Sequence, residues 1–369
     1  MKKNIKILSL LCLFSFFCTI FFSSCNFLDD RDKVTYLIIE NSDVAEKACE
    51  LSHIPNKDIE WILIPRKTRG YEVIGIGARA FAGCKNLPNV DLPDTLTYIG
   101  ERAFEECSSL ESILLPDGVT EIGNWSFYKC TSLKSVTLGK GIETVGGSSF
   151  QDCTSLEQVT FPEGVVYDVF NNQMGIYVGD GAFLGCTSLG SVTIPDGVYC
   201  LSNNAFAYCT ALTDVTLGKD LQILGPGIFF ECTALESITL PGSVNDVPSV
   251  AFYGCTSLAD VTLGEGIWLI GESTFEGCTA LESITLPDST KTIDDRAFRD
   301  CTTLTSITIP ADVTEIRDQA FFGCSELTAI DFGGTVEQWK NVQFGSEWDV
   351  GTGEYTVQCA DGTVEKGGI

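Results

Sequence analysis

The chain predicts a repeat solenoid, mainly β: a right-handed superhelix of stacked coils with parallel strands, short 3₁₀ or helical turns and a cap at each end. Three observations carry that expectation. One grammar is written eleven times, each copy anchored by a Phe with a Cys three residues later, from Phe81/Cys84 to Phe321/Cys324. The anchors recur every 23 residues, except between Phe150 and Phe183, which lie 33 apart. Each copy also carries about eight inward-pointing apolar residues, which one unit cannot bury alone and a stack can. Such units touch only their neighbours, so the 369 residues form one elongated array, not two or three globules.

Residues 1–24 read as a leader. Lys2, Lys3 and Lys6 precede an apolar run from Ile7 to Phe22, and small Ser23 and Ser24 stand before Cys25. That order of charge, apolar run and small residues is a signal peptide. The competing reading is a transmembrane anchor, for which the run is short against the ~20 residues a span needs. The small-small-Cys ending resembles a bacterial lipobox, and the resemblance implies lipidation of Cys25 as the first mature residue. It also implies that the nearby Asp29, Asp30 and Asp32 help direct the protein to the outer surface. Residues 25–33 are then a tether.

Residues 34–77 form an N-terminal cap and an irregular first repeat. Val34–Glu40 is β-rich and reads as a strand. Asn41, Ser42 and Asp43 offer N-cap oxygens before Val44–Leu51, which therefore reads as a short helix. Ile59–Ile64 reads as a second strand, closed by Pro65. A solenoid end exposes its apolar coil and needs such a lid.

Residues 78–332 hold the eleven repeats. In Leu281–Pro287, Ile284 and Leu286 are two apart and share one face of a strand, while Ser283 and Thr285 share the other. Pro287 ends the strand because it has no N–H for the ladder. A second extended segment follows, as in Val119–Gly123, where Gly permits a tight corner. The A-F-x-x-C segment reads as one helical or 3₁₀ turn, its Phe plugging the coil. Residues 333–369 break the grammar and read as a C-terminal cap: a turn and short helix through Trp339, a strand Tyr355–Cys359, then a turn at Asp361-Gly362. Trp339, Phe344 and Trp348 are expected to cover the last coil.

The pattern L-x-x-I-x-L-P followed by V-x-x-I-G-x-x-x-F-x-x-C, as in Leu110, Ile113, Leu115, Pro116, Val119, Ile122, Gly123, Phe127 and Cys130, resembles the BspA-like type of the leucine-rich-repeat family. The likeness runs from about Trp61 to the C-terminus. It implies a leucine-rich-repeat superhelix and a scaffold for interaction, not an enzyme.

Chemistry agrees with that implication. The lone His53 has no triad or metal context, and no G-x-S-x-G, phosphate loop, H-E-x-x-H or EF-hand loop is written. No cofactor is expected. Seventeen cysteines in an exported chain suggest disulfides, yet eleven sit at one repeat position. Coils ~4.8 Å apart would place their Cβ vectors parallel, whereas a disulfide needs facing Cβ atoms ~3.8 Å apart. The ladder reads as buried thiols acting as small apolar residues, without a metal. The formal charge of −27, or −30 once the three leader lysines go, excludes nucleic acid and leaves the lipid anchor as the only membrane contact.

Two places stand out as partner sites. Ten extra residues near 166–177 carry Tyr167, Phe170, Met174, Ile176 and Tyr177. Insertions project from one face and often bind, although these aromatics could equally fold back as a satellite cluster. Thr216, Thr239, Thr262 and Thr285 recur at the outward strand position, as a recognition face or simply as β-formers that solvate well. The expected function is a lipid-anchored surface protein engaging host or microbial proteins. One alternative is glycan capture, with Tyr199 and Trp268 stacking on sugars beside the hydroxyl rows; another is a structural envelope protein.

Overall fold

The computed structural model describes residues 26–29, 34–39, 48–165 and 175–368. The expected leader, Cys25, and Tyr167, Phe170 and Met174 of the insertion lie outside them. The core follows from the 23-residue step, which brings like residues of neighbouring coils together. Rings from Phe81 to Phe321 form one column, with centroids 4.7–5.9 Å apart and planes 3–19° from parallel. Every ring in it is fully buried.

Each coil has three sides. On the first, short strands such as Ser135–Thr137 and Gln158–Thr160 pair in parallel, threonine beside threonine. This is the threonine face. On the second, two-residue strands such as Glu121–Ile122 and Thr144–Val145 pair in parallel just before the corner glycine; this is the glycine face. The corner needs Gly because coils approach closely there. A Cβ on Gly123 would lie 2.6 Å from Glu101 N, and one on Gly225 2.3 Å from Asn203 N.

The third side is made of the A-F-x-x-C turns. Alternate N–H groups close bonds three residues back, as Ala103 to Gly100 O and Cys107 to Phe104 O. The intervening ones, Arg102, Phe104 and Glu106, instead donate to Asn124 O, Ser126 O and Tyr128 O of the next coil. The expected helical turn is thus a string of 3₁₀-type bonds that cannot propagate, because left-handed residues interrupt it: Arg102 at φ 56° and Glu106 at φ 58°. At the position of Glu106 other coils use Gly83, Gly254, Gly277 and Gly323, also with positive φ, where glycine has no Cβ penalty. The axial hydrogen bonds hold the non-glycine residues in place.

The N-terminal cap departs from expectation. Val34–Ile39 is a strand, but the described part of the expected helix Val44–Leu51, residues 48–51, lies in a strand too, Ala48–His53. It lies antiparallel to Val34–Ile39 and parallel to Tyr71–Ile76. Cys49 and Leu51, fully buried at a period of two, decide this against the capping residues before them. Residues 41–47 lie outside the described set. The expected strand at Ile59–Ile64 is reduced to one bridge, Leu63 to Asp91.

A half-buried polar contact fastens the cap: the Tyr98 hydroxyl donates to Glu50 Oε2 at 2.6 Å. Burial raises the Glu50 carboxyl above the usual glutamate range, and the Tyr98 hydrogen bond opposes that rise.

At the C-terminal end the coils give way to a short helix and a hairpin. Thr335 caps the helix Val336–Lys340 in a reciprocal capping box with Gln338. Thr356–Cys359 and Gly362–Glu365 form a hairpin, Trp339 is fully buried, and Trp348 meets Phe321 edge-on at 6.1 Å.

Three measurements test this packing. Phe206→Ala should lower unfolding free energy by about 3–5 kcal/mol in urea titration. Ser126 and Ser149 fill the slot before Phe that holds Ala in most coils, with fully buried hydroxyls lacking a hydrogen-bond partner; Ser126→Ala should therefore be neutral or stabilising by up to about 1 kcal/mol. Because Glu50 takes up a proton more readily in the folded state, its contribution to stability is present at acid pH and is lost as pH rises through its elevated value. Glu50→Gln should keep the Tyr98 hydrogen bond and flatten that pH dependence in thermal melts.

Candidate interaction surface

The threonine face carries the predicted positions. Thr216, Thr239, Thr262 and Thr285 all point outward and are exposed. They do not form one ladder. Thr193 pairs with Thr216, Thr239 with Thr262, and Thr285 with Thr308, but the sheet is interrupted between these pairs. Before the gaps, inward-pointing Leu217, Val261 and Leu263 are only half-buried, whereas Leu240 and Leu286 are buried. Pro241 and Pro287, just beyond the gaps, have no N–H to give to the preceding coil, which weakens pairing there. The coils splay on this face while staying hydrogen-bonded on the glycine face, where Leu269–Ile270 pairs with Thr292–Ile293.

The splay opens a cleft of about 430 Å³ between Asp260–Leu263 and Ser283–Leu286. Thr262 and Thr285 lie in its walls, Val261, Leu263 and Ile284 contribute its apolar part, and Asp260, Glu265 and Asp288 give it negative charge. Among the described residues no group of three His, Cys, Asp or Glu is arranged to hold a metal ion.

Tyr177 is not a loop residue. It belongs to the strand Ile176–Val178 on the glycine face, paired with Thr144 and Cys200, and Ile176 is in the core. The repeat grammar resumes earlier than the sequence reading placed it, so the loop ends before Ile176. The Tyr177 hydroxyl accepts from Ser202 Oγ at 2.9 Å, and its ring lies 6.4 Å from Tyr199. Tyr199, in the strand Val198–Leu201, and Trp268, just before the strand Leu269–Ile270, share the glycine face, away from the strands carrying the threonines. The structure therefore does not bring them beside the hydroxyl rows, as the sugar-stacking alternative required.

The eleven ladder cysteines are buried free thiols. They are more than small apolar groups. Every ladder thiol after the first, Cys84, donates to the carbonyl of a Phe in the preceding coil at 3.0–3.3 Å, as Cys107 Sγ to Phe81 O and Cys209 Sγ to Phe183 O. Burial pushes the thiols of Cys107, Cys232 and Cys324 up to about 12.

A profile described as the BspA type leucine rich repeat region, in 6 copies, matches residues 56–176, 169–278 and 245–349. The chain belongs to the BspA-type leucine-rich-repeat family. Solved structures similar to it include a leucine-rich repeat protein from Bacteroides ovatus, 28% identical over 88% of this chain and 98% of that one, TM-score 0.40. A leucine rich cell surface protein from Faecalibacterium prausnitzii is 24% identical over 87% and 98%, TM-score 0.40. The pneumococcal vaccine antigen PcpA is 15% identical over 88% and 98%, TM-score 0.46. With superpositions this loose, the assignment rests on the repeat profile. No curated protein matches the chain. BspA-type membership makes it a repeat protein of the protein-interaction kind, and among the described residues no helix is long and apolar enough to cross a membrane.

Sequence reasoning missed Trp61 and Leu63, which are 73% and 67% exposed. The pattern held the clue: Ile62 and Ile64 fill the inward positions of that coil, leaving Trp61 and Leu63 to solvent. Leu114, which pairs with Thr137 in the threonine column, is 68% exposed on the same face.

The thiol ladder predicts a chemical readout. Ellman's reagent should leave the ladder cysteines unmodified in the native protein and titrate them all in guanidinium chloride, since the reactive thiolate is disfavoured by burial.

Proposed function

We propose that this BspA-type protein is an exported, lipid-anchored surface protein that engages other proteins through its threonine face, as an adhesin-like module. The observation that carries the reading is the outward row Thr216, Thr239, Thr262 and Thr285 on a rigid stack, broken by an acidic cleft at Thr262 and Thr285. Hydroxyls next to apolar floor and carboxylates suit polar, basic protein surfaces, and the cleft supplies the local irregularity that a uniform ladder lacks. Acylation of Cys25 would tether the stack, and the chain's −27 charge keeps the array off anionic headgroups. Tyr167, Phe170 and Met174 extend the reading as a second contact from the insertion.

The test is a cross-linked pull-down from host extracellular matrix and co-resident bacteria. Wild type should capture a defined protein; Thr262→Lys/Thr285→Lys should lose it at least tenfold with an unchanged melting temperature, because both side chains are exposed. Capture that survives this change would remove the face, and loss on Tyr167→Ser/Phe170→Ser would move the site to the insertion. Labelled palmitate should enter wild type and not Cys25→Ala, and protease shaving of intact cells should release the repeats. Specific hits on a glycan array without protein capture would replace the reading with sugar binding.

A further inference from the structure

We propose that the first coil of the threonine face is a docking edge, to which an extended, cationic segment of a partner protein adds as a further strand. This rests on the protein-binding reading above and gives it a separate locus and a mode of contact. The N-terminal cap does not continue this face. Its strands, Asn26–Asp29, Val34–Ile39 and Ala48–His53, belong to the sheet of the glycine face. The threonine face instead begins at residues 59–65, attached to the next coil by the one bridge from Leu63 to Asp91. Pro88, without an N–H, helps keep that attachment short. Among the described residues no strand pairs with the outer side of this coil.

What the edge presents is apolar and large. Ile64 is buried and Ile62 packs partly against the core, while Trp61 and Leu63 face solvent, with Leu114 two coils further along the Leu63 column. An open, apolar strand edge invites pairing, and proteins ordinarily blunt it with charge, proline or cover. Here two of the three most exposed large apolar side chains among the described residues, Trp61 and Leu63, stand on it, and tryptophan is a frequent anchor of protein contacts. An added strand would take its hydrogen bonds from the free backbone groups and lay alternate side chains over Trp61 and Leu63.

Charge selects the occupant. Asp58, Glu60 and Asp91 are exposed along the edge and form no ion pair among the described residues. The cations flanking the edge are already engaged, Arg66 with Asp94 at 2.9 Å, Lys67 with Glu72 at 3.9 Å and Lys57 donating to Ala80 O at 3.4 Å. A lysine- or arginine-bearing segment is attracted to this rim and an acidic one is repelled.

The experiment is fluorescence anisotropy of a labelled octapeptide of alternating Lys and Val with the full chain. The comparisons are a Glu-Val octapeptide, Lys-Val peptides N-methylated on one or the other alternate set of amides, and the proteins Trp61→Ser/Leu63→Ser and Thr262→Ala/Thr285→Ala. The Lys-Val peptide should bind saturably, and at least tenfold more weakly to Trp61→Ser/Leu63→Ser, whose melting curve should match wild type. One N-methylated register should bind at least tenfold more weakly, and the Glu-Val peptide should not bind. No binding of the Lys-Val peptide, or equal binding by Trp61→Ser/Leu63→Ser or by both N-methylated peptides, overturns the proposal. Loss confined to Thr262→Ala/Thr285→Ala also overturns it and leaves the threonine-face reading standing. Sedimentation showing self-association that Trp61→Ser/Leu63→Ser abolishes would assign the edge to a second copy and overturn the cationic segment.

Discussion

Register between coils is the constraint on which the rest depends. A step of 23 residues returns the chain to the same place one coil along, so every buried position meets its own kind: Phe104 on Phe127, Ile122 beside Val145, Thr137 beside Thr160. The contact is self-consistent only if all three sides repeat together. Axial hydrogen bonds on the turn side, from Phe104 N–H to Ser126 O and from Phe127 N–H to Ser149 O, fix the spacing at which the rings can stack. Apolar burial drives the assembly; the backbone ladder sets its pitch.

The cysteines show how such a column handles its polar leftovers. The Phe carbonyl inside each turn already accepts from the Cys N–H three residues on, and its remaining capacity points into the core. Cys130 Sγ reaches Phe104 O at 3.1 Å, and in a different slot, the one before Phe275, the hydroxyl Thr274 Oγ1 likewise reaches Pro248 O of the preceding coil. A small side chain with a weak donor suits the Cys slot better than Ala, which leaves the carbonyl half-used, and better than a larger residue, which would not fit between rings.

Departures from uniformity are what make the outside distinctive. Where pairing lapses between Asp260–Leu263 and Ser283–Thr285, the coils open a cleft on one face without losing the stack, since the glycine face keeps its ladder. Where the cap extends only the glycine face, the threonine face is left with an apolar edge. In both places a local failure of strand pairing exposes groups that the regular repeat hides or satisfies.

The amino-acid sequence alone determined the stacked fold, the inward set of each repeat, the outward threonines and the aromatic cover at the C-terminal end. Periodicity is a local property that survives in one dimension, and eleven copies leave little room for another fold. What it could not determine were features set by neighbours distant along the chain. Ala48–His53 is a strand because Val34–Ile39 and Tyr71–Ile76 flank it, although the residues before it favour helix. Tyr177 belongs to a strand because Thr144 and Cys200 pair with it. The thiols are donors because the carbonyl of another coil faces them. The cleft and the open edge at Trp61 arise where hydrogen bonds between coils are missing, and a missing bond between strands 23 or 28 residues apart is decided only when the tertiary structure closes.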